Sequence, residues 1–131
     1  MKMWRMRTAE VITMSNFALP EISIVGGDHT YLDFEIFEPE GDAVDVSTMS
    51  ASFAVIDYTN KFGSPQFTLQ ATVIEGEQGV PLFRVTLQSA LTVNMFGKFI
   101  YQLSVRDYKG YMQHRQGIVL IHKNIDTNTV N

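Results

Sequence analysis

The dominant pattern along this chain is an alternation of apolar and polar residues with a period of two. It runs through residues 31–37, 66–73, 82–88 and 99–106. Successive side chains of a β-strand point to opposite faces, so this period predicts four strands with one buried face and one wet face. Weaker patterns predict three more strands, at residues 22–25, 51–58 and 116–122. The last contains an unbroken apolar run, which is typical of a strand that is covered on both faces.

Residues typical of turns separate these segments. Residues 75–79 and 107–110 contain glycine and lie between neighbouring strands, which predicts two hairpins. Further turns are predicted at residues 39–42 and 60–63. The only helix-like stretch, residues 89–96, gives at most two turns, too short for a crossover helix between parallel strands. All four prolines fall at strand boundaries, where a missing amide does no harm: Pro20, Pro39, Pro65 and Pro81.

The pattern predicts one all-β domain over residues 1–131. Many short strands and no long helix favour an immunoglobulin-like antiparallel β-sandwich of seven strands, or eight if residues 2–13 add one. The N-terminal residues 1–20 either join the sheets or form an extension used in assembly. Residues 124–131 are polar, and we expect them to form a loose tail.

Composition narrows the function classes. The chain has 131 residues, of which 45% are hydrophobic and 18% charged, enough for one cored domain. It has no cysteine, which excludes disulfides and thiolate metal sites. The net charge is −4 and there is no basic stripe, so we expect no nucleic-acid partner. No apolar run approaches the roughly 18 residues of a membrane span, and we expect neither membrane insertion nor a secretion signal.

We expect no catalytic residue, no metal and no cofactor. His114 and His122 lie on one predicted strand roughly 26 Å apart and cannot share an ion. The acidic residues Glu38, Glu40 and Asp42 lie in a turn, but without the spacing of a calcium loop we favour a solvated turn. No nucleophile motif is present. A carboxylate pair for glycoside cleavage stays an open alternative, because its spacing is set in space.

Aromatic residues are the remaining candidates for a site. Trp4 lies with Met3 and Met6 in a polarizable stretch outside the main pattern, which predicts an assembly interface. A second group of aromatics falls in loops or at strand ends and predicts an exposed binding surface. Its members are Tyr58, Tyr108 and Tyr111.

Several short motifs follow one another in a familiar order. They are GDHTYLDF at 27–34, GDAVDVS at 41–47, LFRVTL at 82–87, GKFIYQL at 97–103 and DYKG at 107–110. This order resembles the immunoglobulin-like domain at the N-terminus of phage baseplate upper proteins and related tail proteins. The chain departs from that pattern at Val46, where the family has leucine, and it lacks the glycine that follows in the family.

The resemblance implies a non-enzymatic structural part of a phage or prophage tail. Such a protein is made in the bacterial cytoplasm, resides in the virion, joins other tail or baseplate proteins as a rigid adaptor and forms a homo-oligomer. The alternative is a carbohydrate-binding or cell-surface adhesion module. Three details are expected on physical grounds: Asp45 with Ser47 fixes a turn, Gly97 permits a bend, and Phe99 lacks the hydroxyl of a tyrosine corner.

Overall fold

The computed structural model describes residues 3–7, 11–13, 19–37, 44–76 and 79–125. It places these residues in ten strands and one short helix. They are β1 (Met3–Arg7), β2 (Val11–Thr13), β3 (Ile22–Val25), β4 (Thr30–Phe37), β5 (Ser50–Asp57), β6 (Phe67–Gln70), β7 (Thr72–Glu75), β8 (Pro81–Leu87), α1 (Ser89–Thr92), β9 (Gly97–Arg106) and β10 (Met112–His122).

The strands form two five-stranded sheets. Sheet A has the order β2-β1-β4-β8-β7, and sheet B has the order β3-β10-β9-β5-β6. Neighbouring strands are antiparallel except β3, which runs parallel to β10. The run β1-β4-β8-β7 matches the A-B-E-D sheet of immunoglobulin domains, and β10-β9-β5 matches G-F-C. The predicted immunoglobulin-like sandwich is therefore confirmed.

The core lies between the sheets and is built from the apolar phase of each strand. Phe34 of β4, Phe53 of β5 and Phe83 of β8 are almost completely buried. The ring of Phe53 stacks on Tyr101, with 5.5 Å between centroids. Tyr101 is fully buried, and its hydroxyl donates a hydrogen bond to the carbonyl of Pro20. Burial raises the pKa of Tyr101, so the hydroxyl stays protonated and able to donate.

Two of the seven predicted strands differ from the observed ones by more than one or two terminal residues. The segment predicted as one strand at residues 66–73 is divided at Ala71 into β6 of sheet B and β7 of sheet A. The alternation continues through the division because the odd-numbered residues are on the inner face of both strands. β10 begins at Met112, four residues earlier than predicted. Its first residues pair with β9 but are largely exposed, so no apolar alternation marks them.

The N-terminal residues contribute two strands to sheet A. β1 lies between β2 and β4, with Trp4 opposite Ile36 and Met6 opposite Phe34 in the backbone register. The side chains of Met3, Trp4 and Met6 lie outside the described residues, so their role in assembly stays a prediction. Because β1 is an inner strand, deleting residues 1–10 would remove part of the fold itself.

Two other sequence features fall wholly or mostly outside the described residues. The acidic turn with Glu38, Glu40 and Asp42 is one of them. The other is the C-terminal tail, of which only Asn124 and Ile125 are described, both without regular secondary structure.

Where the structure describes them, the turns form as the sequence predicts. Asp45 Oδ1 accepts a hydrogen bond from the Ser47 amide at 2.9 Å. Gly97 has a φ of 113° at the start of β9, a conformation that favours glycine. In the hairpin between β9 and β10, Asp107 Oδ1 accepts hydrogen bonds from the amides of Lys109 at 2.9 Å and Tyr111 at 3.0 Å. Short polar side chains thus fix the loops that join the strands.

The Asp57 turn predicts how stability depends on pH. Asp57 accepts hydrogen bonds from the backbone amide and the hydroxyl of Thr59. Both hold the pKa of Asp57 below its ordinary value, and the bond from the amide has the larger effect. A carboxyl whose pKa is lowered by folding stabilises the fold above its unfolded pKa, about 4, and this stabilisation disappears as the pH falls through the folded pKa. We expect the urea midpoint to fall below about pH 4, and to fall less in Asp57→Asn. Identical pH profiles for the two proteins would contradict this.

Candidate functional site

Among the described residues, the outer face of sheet B is the candidate functional site. The side chains of β5, β9 and β10 that point away from the core line up across the three strands. The register gives four rows: Ser50–Arg106–Met112, Ser52–Ser104–His114, Ala54–Gln102–Gln116 and Ile56–Ile100–Ile118. We call these four rows the sheet B face. It has a polar end at the first two rows and an apolar end at the isoleucines.

The polar part of the sheet B face is hydrogen-bonded within itself. Gln102 Nε2 donates to Ser104 Oγ at 3.1 Å, and Ser104 Oγ lies 2.8 Å from His114 Nδ1. Gln116 Nε2 donates to Gln102 Oε1 at 2.8 Å. If the Ser104 hydroxyl accepts from Gln102, it is free to donate to a neutral His114 ring. The network joins four side chains of β9 and β10 and leaves an ordered surface.

The contact of Ser104 with His114 has the distance of a nucleophile and its base. The other side chain at the His114 ring is Gln102, whose Nε2 lies 3.4 Å from Nδ1. In the part of the chain that the structure describes, no carboxylate lies within ion-pair distance of this ring, and an amide does not stabilise an imidazolium as a carboxylate does. The nearby backbone amides belong to the strand ladder and are not turned towards Ser104 as oxyanion donors. Among the described residues, the contact of Ser104 with His114 is thus part of the surface network and lacks the carboxylate of a catalytic triad.

The polar end contains a shallow depression of about 210 Å³. Its lining includes Ser52, Gln70 and Arg106. The hairpin that follows β9 carries Tyr108 and Tyr111, whose side chains are 72% and 71% exposed. The depression therefore offers polar groups at the end of sheet B from which the hairpin with the two exposed tyrosines extends, and polar groups and aromatic rings together suit a sugar or a protein side chain.

The structure separates the three predicted tyrosines. Tyr108 and Tyr111 lie together on the β9–β10 hairpin, whereas Tyr58 follows the opposite end of β5, roughly 25 Å away at the rise of a strand. Tyr58 is half-buried, with Lys61 Nζ at 4.3 Å and Lys98 Nζ at 4.1 Å from its ring centroid. It belongs to a separate surface, where two lysine ammonium groups lie over its ring.

The apolar end is a feature that the sequence prediction missed. Ile56, Ile100 and Ile118 form one row on the solvent side, each partly exposed. A second depression, of about 350 Å³, lies beside this row and is lined in part by Leu19 and Gly117. The signal was present in the sequence: each isoleucine occupies the polar phase of its predicted strand.

The outer face of sheet A is held by an ion pair. Arg84 donates to both carboxylate oxygens of Asp33, at 2.8 Å and 3.0 Å, and lies over the ring of Tyr31 at 4.4 Å from its centroid. The hydrogen bond to Asp33 raises the pKa of Arg84. With its guanidinium already engaged, Arg84 is a cross-strand contact and leaves little free charge for a ligand.

Neither a metal-binding group of side chains nor a membrane-spanning helix is found among the described residues. Among the described residues, no three side chains of His, Cys, Asp or Glu are grouped so that they could hold a metal ion. The only described helix, α1, has four residues, and none in this part of the chain could cross a membrane.

Comparison with known proteins gives only distant similarity. No protein-family model matches the chain, and no curated protein matches it. The soluble domain of PmoD from Methylocystis is similar in structure, with 13% identity, a TM-score of 0.48 and coverage of 92% of this chain and 90% of that one. CopC from Methylosinus trichosporium has 9% identity, a TM-score of 0.42 and coverage of 80% and 88%. The BIgI domain of beta protein from S. agalactiae, bound to CEACAM1, has 10% identity, a TM-score of 0.41 and coverage of 91% and 98%.

Proposed function

We propose that this chain is a non-enzymatic structural protein of a phage or prophage tail or baseplate. It acts as a rigid adaptor that forms a homo-oligomer and binds a neighbouring tail protein through the sheet B face. The order of the short motifs supports the tail assignment, and the turn residues among them, Asp45, Gly97 and Asp107, hold the loops of the described fold.

The observation that carries the proposal is the composition of the sheet B face. Of its four rows of three residues, only Arg106 carries a formal charge at neutral pH, with histidine neutral. Interface centres are depleted in charged residues and are flanked by aromatic and polar groups. Here an isoleucine row adjoins an ordered amide and hydroxyl network, with Tyr108 and Tyr111 at the rim. Such a surface is suited to a permanent contact with another folded protein.

The tail assignment is tested on particles of the phage or lysogen that encodes the chain. An antibody raised against the chain should label the tail end of purified particles in electron microscopy, and mass spectrometry should detect the chain in them. If the chain is made during lysis but is absent from purified particles, the assignment is wrong.

The role of the face is tested by Ile100→Lys, with Thr86→Lys as the control on the outer face of sheet A. The first variant should fold but no longer enter particles, and the second should enter them normally. Equal incorporation of both variants would contradict the use of the sheet B face.

The second candidate function is binding of a carbohydrate, as in an adhesion module. The depression beside Tyr108 and Tyr111 favours it, because sugars stack on exposed aromatic rings and bond to polar side chains. A glycan array probed with multivalent beads tests it. Binding that is lost in Tyr111→Ala and kept in Tyr58→Ala would support this function, and no binding by the beads would count against it.

A further inference from the structure

One long side of the sandwich ends in a single stretch of chain. β6 is the last strand of sheet B on this side, and β7 is the last strand of sheet A. Ala71 joins them and donates its amide to the carbonyl of Ala51 at 2.9 Å, which keeps the stretch attached to β5. Within the described ranges no strand lies beyond either one. Edge strands of this kind present unpaired amides and carbonyls to the solvent.

This edge lacks two of the features that normally prevent strand addition. Folded proteins protect their edges with charged side chains, proline or very short strands. From Gln66 to Ile74 there is no charged residue and no proline. β6 and the opposite edge strand of sheet B, β3, both have four residues, but β3 directly follows the acidic residue Glu21, whereas β6 continues through Ala71 into β7 without a charged residue. The uncharged edge formed by β6 is therefore the better one for pairing with another strand.

The backbone groups that are free to pair can be identified. Hydrogen-bonded residues alternate along an antiparallel ladder. The bond from Ala71 to Ala51 continues the register of Leu69 with Phe53. Leu69 and Ala71 therefore direct their amides and carbonyls to β5. Thr68 and Gln70 then direct theirs to the open side. The side chains of both are exposed on the outer face of sheet B.

We propose that a second copy of this chain adds to this edge through its own β6, antiparallel and around a two-fold axis at Leu69. In this register Thr68 of each copy lies opposite Gln70 of the other, and four backbone hydrogen bonds join the copies. Residues opposite each other then point to the same face of the joined sheet, so the core faces of sheet B in the two copies lie on the same side. Leu69 of each copy, only partly covered in one copy, would meet its equivalent.

The composition of the edge favours a second copy as its occupant. Two identical charged strands would repel each other when paired, whereas an uncharged stretch pairs with itself without that cost. A two-fold contact of this kind uses the same patch on both subunits, as most homo-oligomers do. The inference deepens the proposed function, on whose homo-oligomer it rests, by naming the surface through which the copies meet. It leaves the sheet B face free for a different protein.

Sedimentation velocity over a range of concentrations tests the pairing. The double variant Thr68→Lys with Gln70→Lys places lysines opposite each other in the dimer, and should raise the dissociation constant at least about tenfold. Ala54→Lys is the matched control, because Ala54 is the register partner of Thr68, one strand further from the edge. Thr68→Pro removes only the outward amide and should also weaken the dimer. Circular dichroism and the thermal midpoint confirm that each variant is folded.

The possible results separate the inference from the proposed function. A wild-type dimer that the edge variants dissociate and Ala54→Lys preserves supports the pairing. An oligomer that resists both edge variants overturns the pairing and leaves the assembly role intact. A wild-type chain that is monomeric at every concentration overturns the pairing and the homo-oligomer together, while labelling of phage particles still decides the tail assignment.

Discussion

Replacing Phe53 by alanine is expected to lower the free energy of unfolding by about 3–5 kcal/mol. The side chain of Phe53 is 1% exposed, and its ring lies between those of Phe34 and Tyr101, at centroid distances of 6.3 Å and 5.5 Å. Alanine would leave a cavity between the two sheets, which the aromatic neighbours can fill only in part. The loss is large beside the roughly 5–15 kcal/mol that stabilises a typical domain.

Phe62→Ala is the matched control for this prediction. Phe62 lies in the loop after β5 and is 103% exposed, so the same chemical change removes no buried contact. Its effect should stay within about 0.5 kcal/mol. Urea unfolding followed by circular dichroism measures both variants. Similar losses in the two proteins would contradict the placement of Phe53 in the core.

Replacing Gly117 by alanine is expected to cost about 1–3 kcal/mol. Gly117 lies opposite Tyr101 in the ladder of β9 and β10, and the Tyr101 ring covers it. A Cβ atom added at Gly117 would lie 2.6 Å from the nearest ring carbon of Tyr101. The ring has little room to move, because it stacks on Phe53 and its hydroxyl is bound to the carbonyl of Pro20.

Gln113→Ala provides the comparison for Gly117→Ala. Gln113 is an exposed residue of the same strand, so its replacement should change stability by no more than about 0.5 kcal/mol. The thermal midpoint, read together with urea unfolding, checks the pair. If Gly117→Ala is as stable as the wild type, the close packing of Tyr101 against β10 is wrong.

The fold could be predicted from the sequence because sandwich strands have one wet face. Leu32, Phe34 and Ile36 alternate with polar residues, and all three are buried. The division at Ala71 could not be predicted, because the inward phase continues unchanged as the chain passes from sheet B to sheet A. The sequence analysis placed the tyrosine-corner position at Phe99, which has no hydroxyl. The buried hydroxyl belongs to Tyr101, two residues further along β9.

The candidate site was only partly predictable. Tyr108 and Tyr111 fall in a loop or at a strand end, which predicts that they are exposed, and they are. The contact of Ser104 with His114 follows from the hairpin register: both lie five residues from Lys109, at the centre of the turn. The hairpin was predicted, but its register was not carried through to the side chains. The proposed binding of a tail protein to the sheet B face could not be predicted in detail, because it depends on the surface of that protein as well as on this one.

Assembly through contacts of this chain with itself is the central claim, and amide hydrogen exchange measures it most directly. The full-length protein would be compared at low and at high concentration, with residue-level detection. We expect the amides of Thr68 and Gln70 to exchange freely in the dilute protein and to become protected in the concentrated one, while the amides of β9 are protected in both. If protection at Thr68 and Gln70 is the same at the two concentrations, the copies do not meet at this edge.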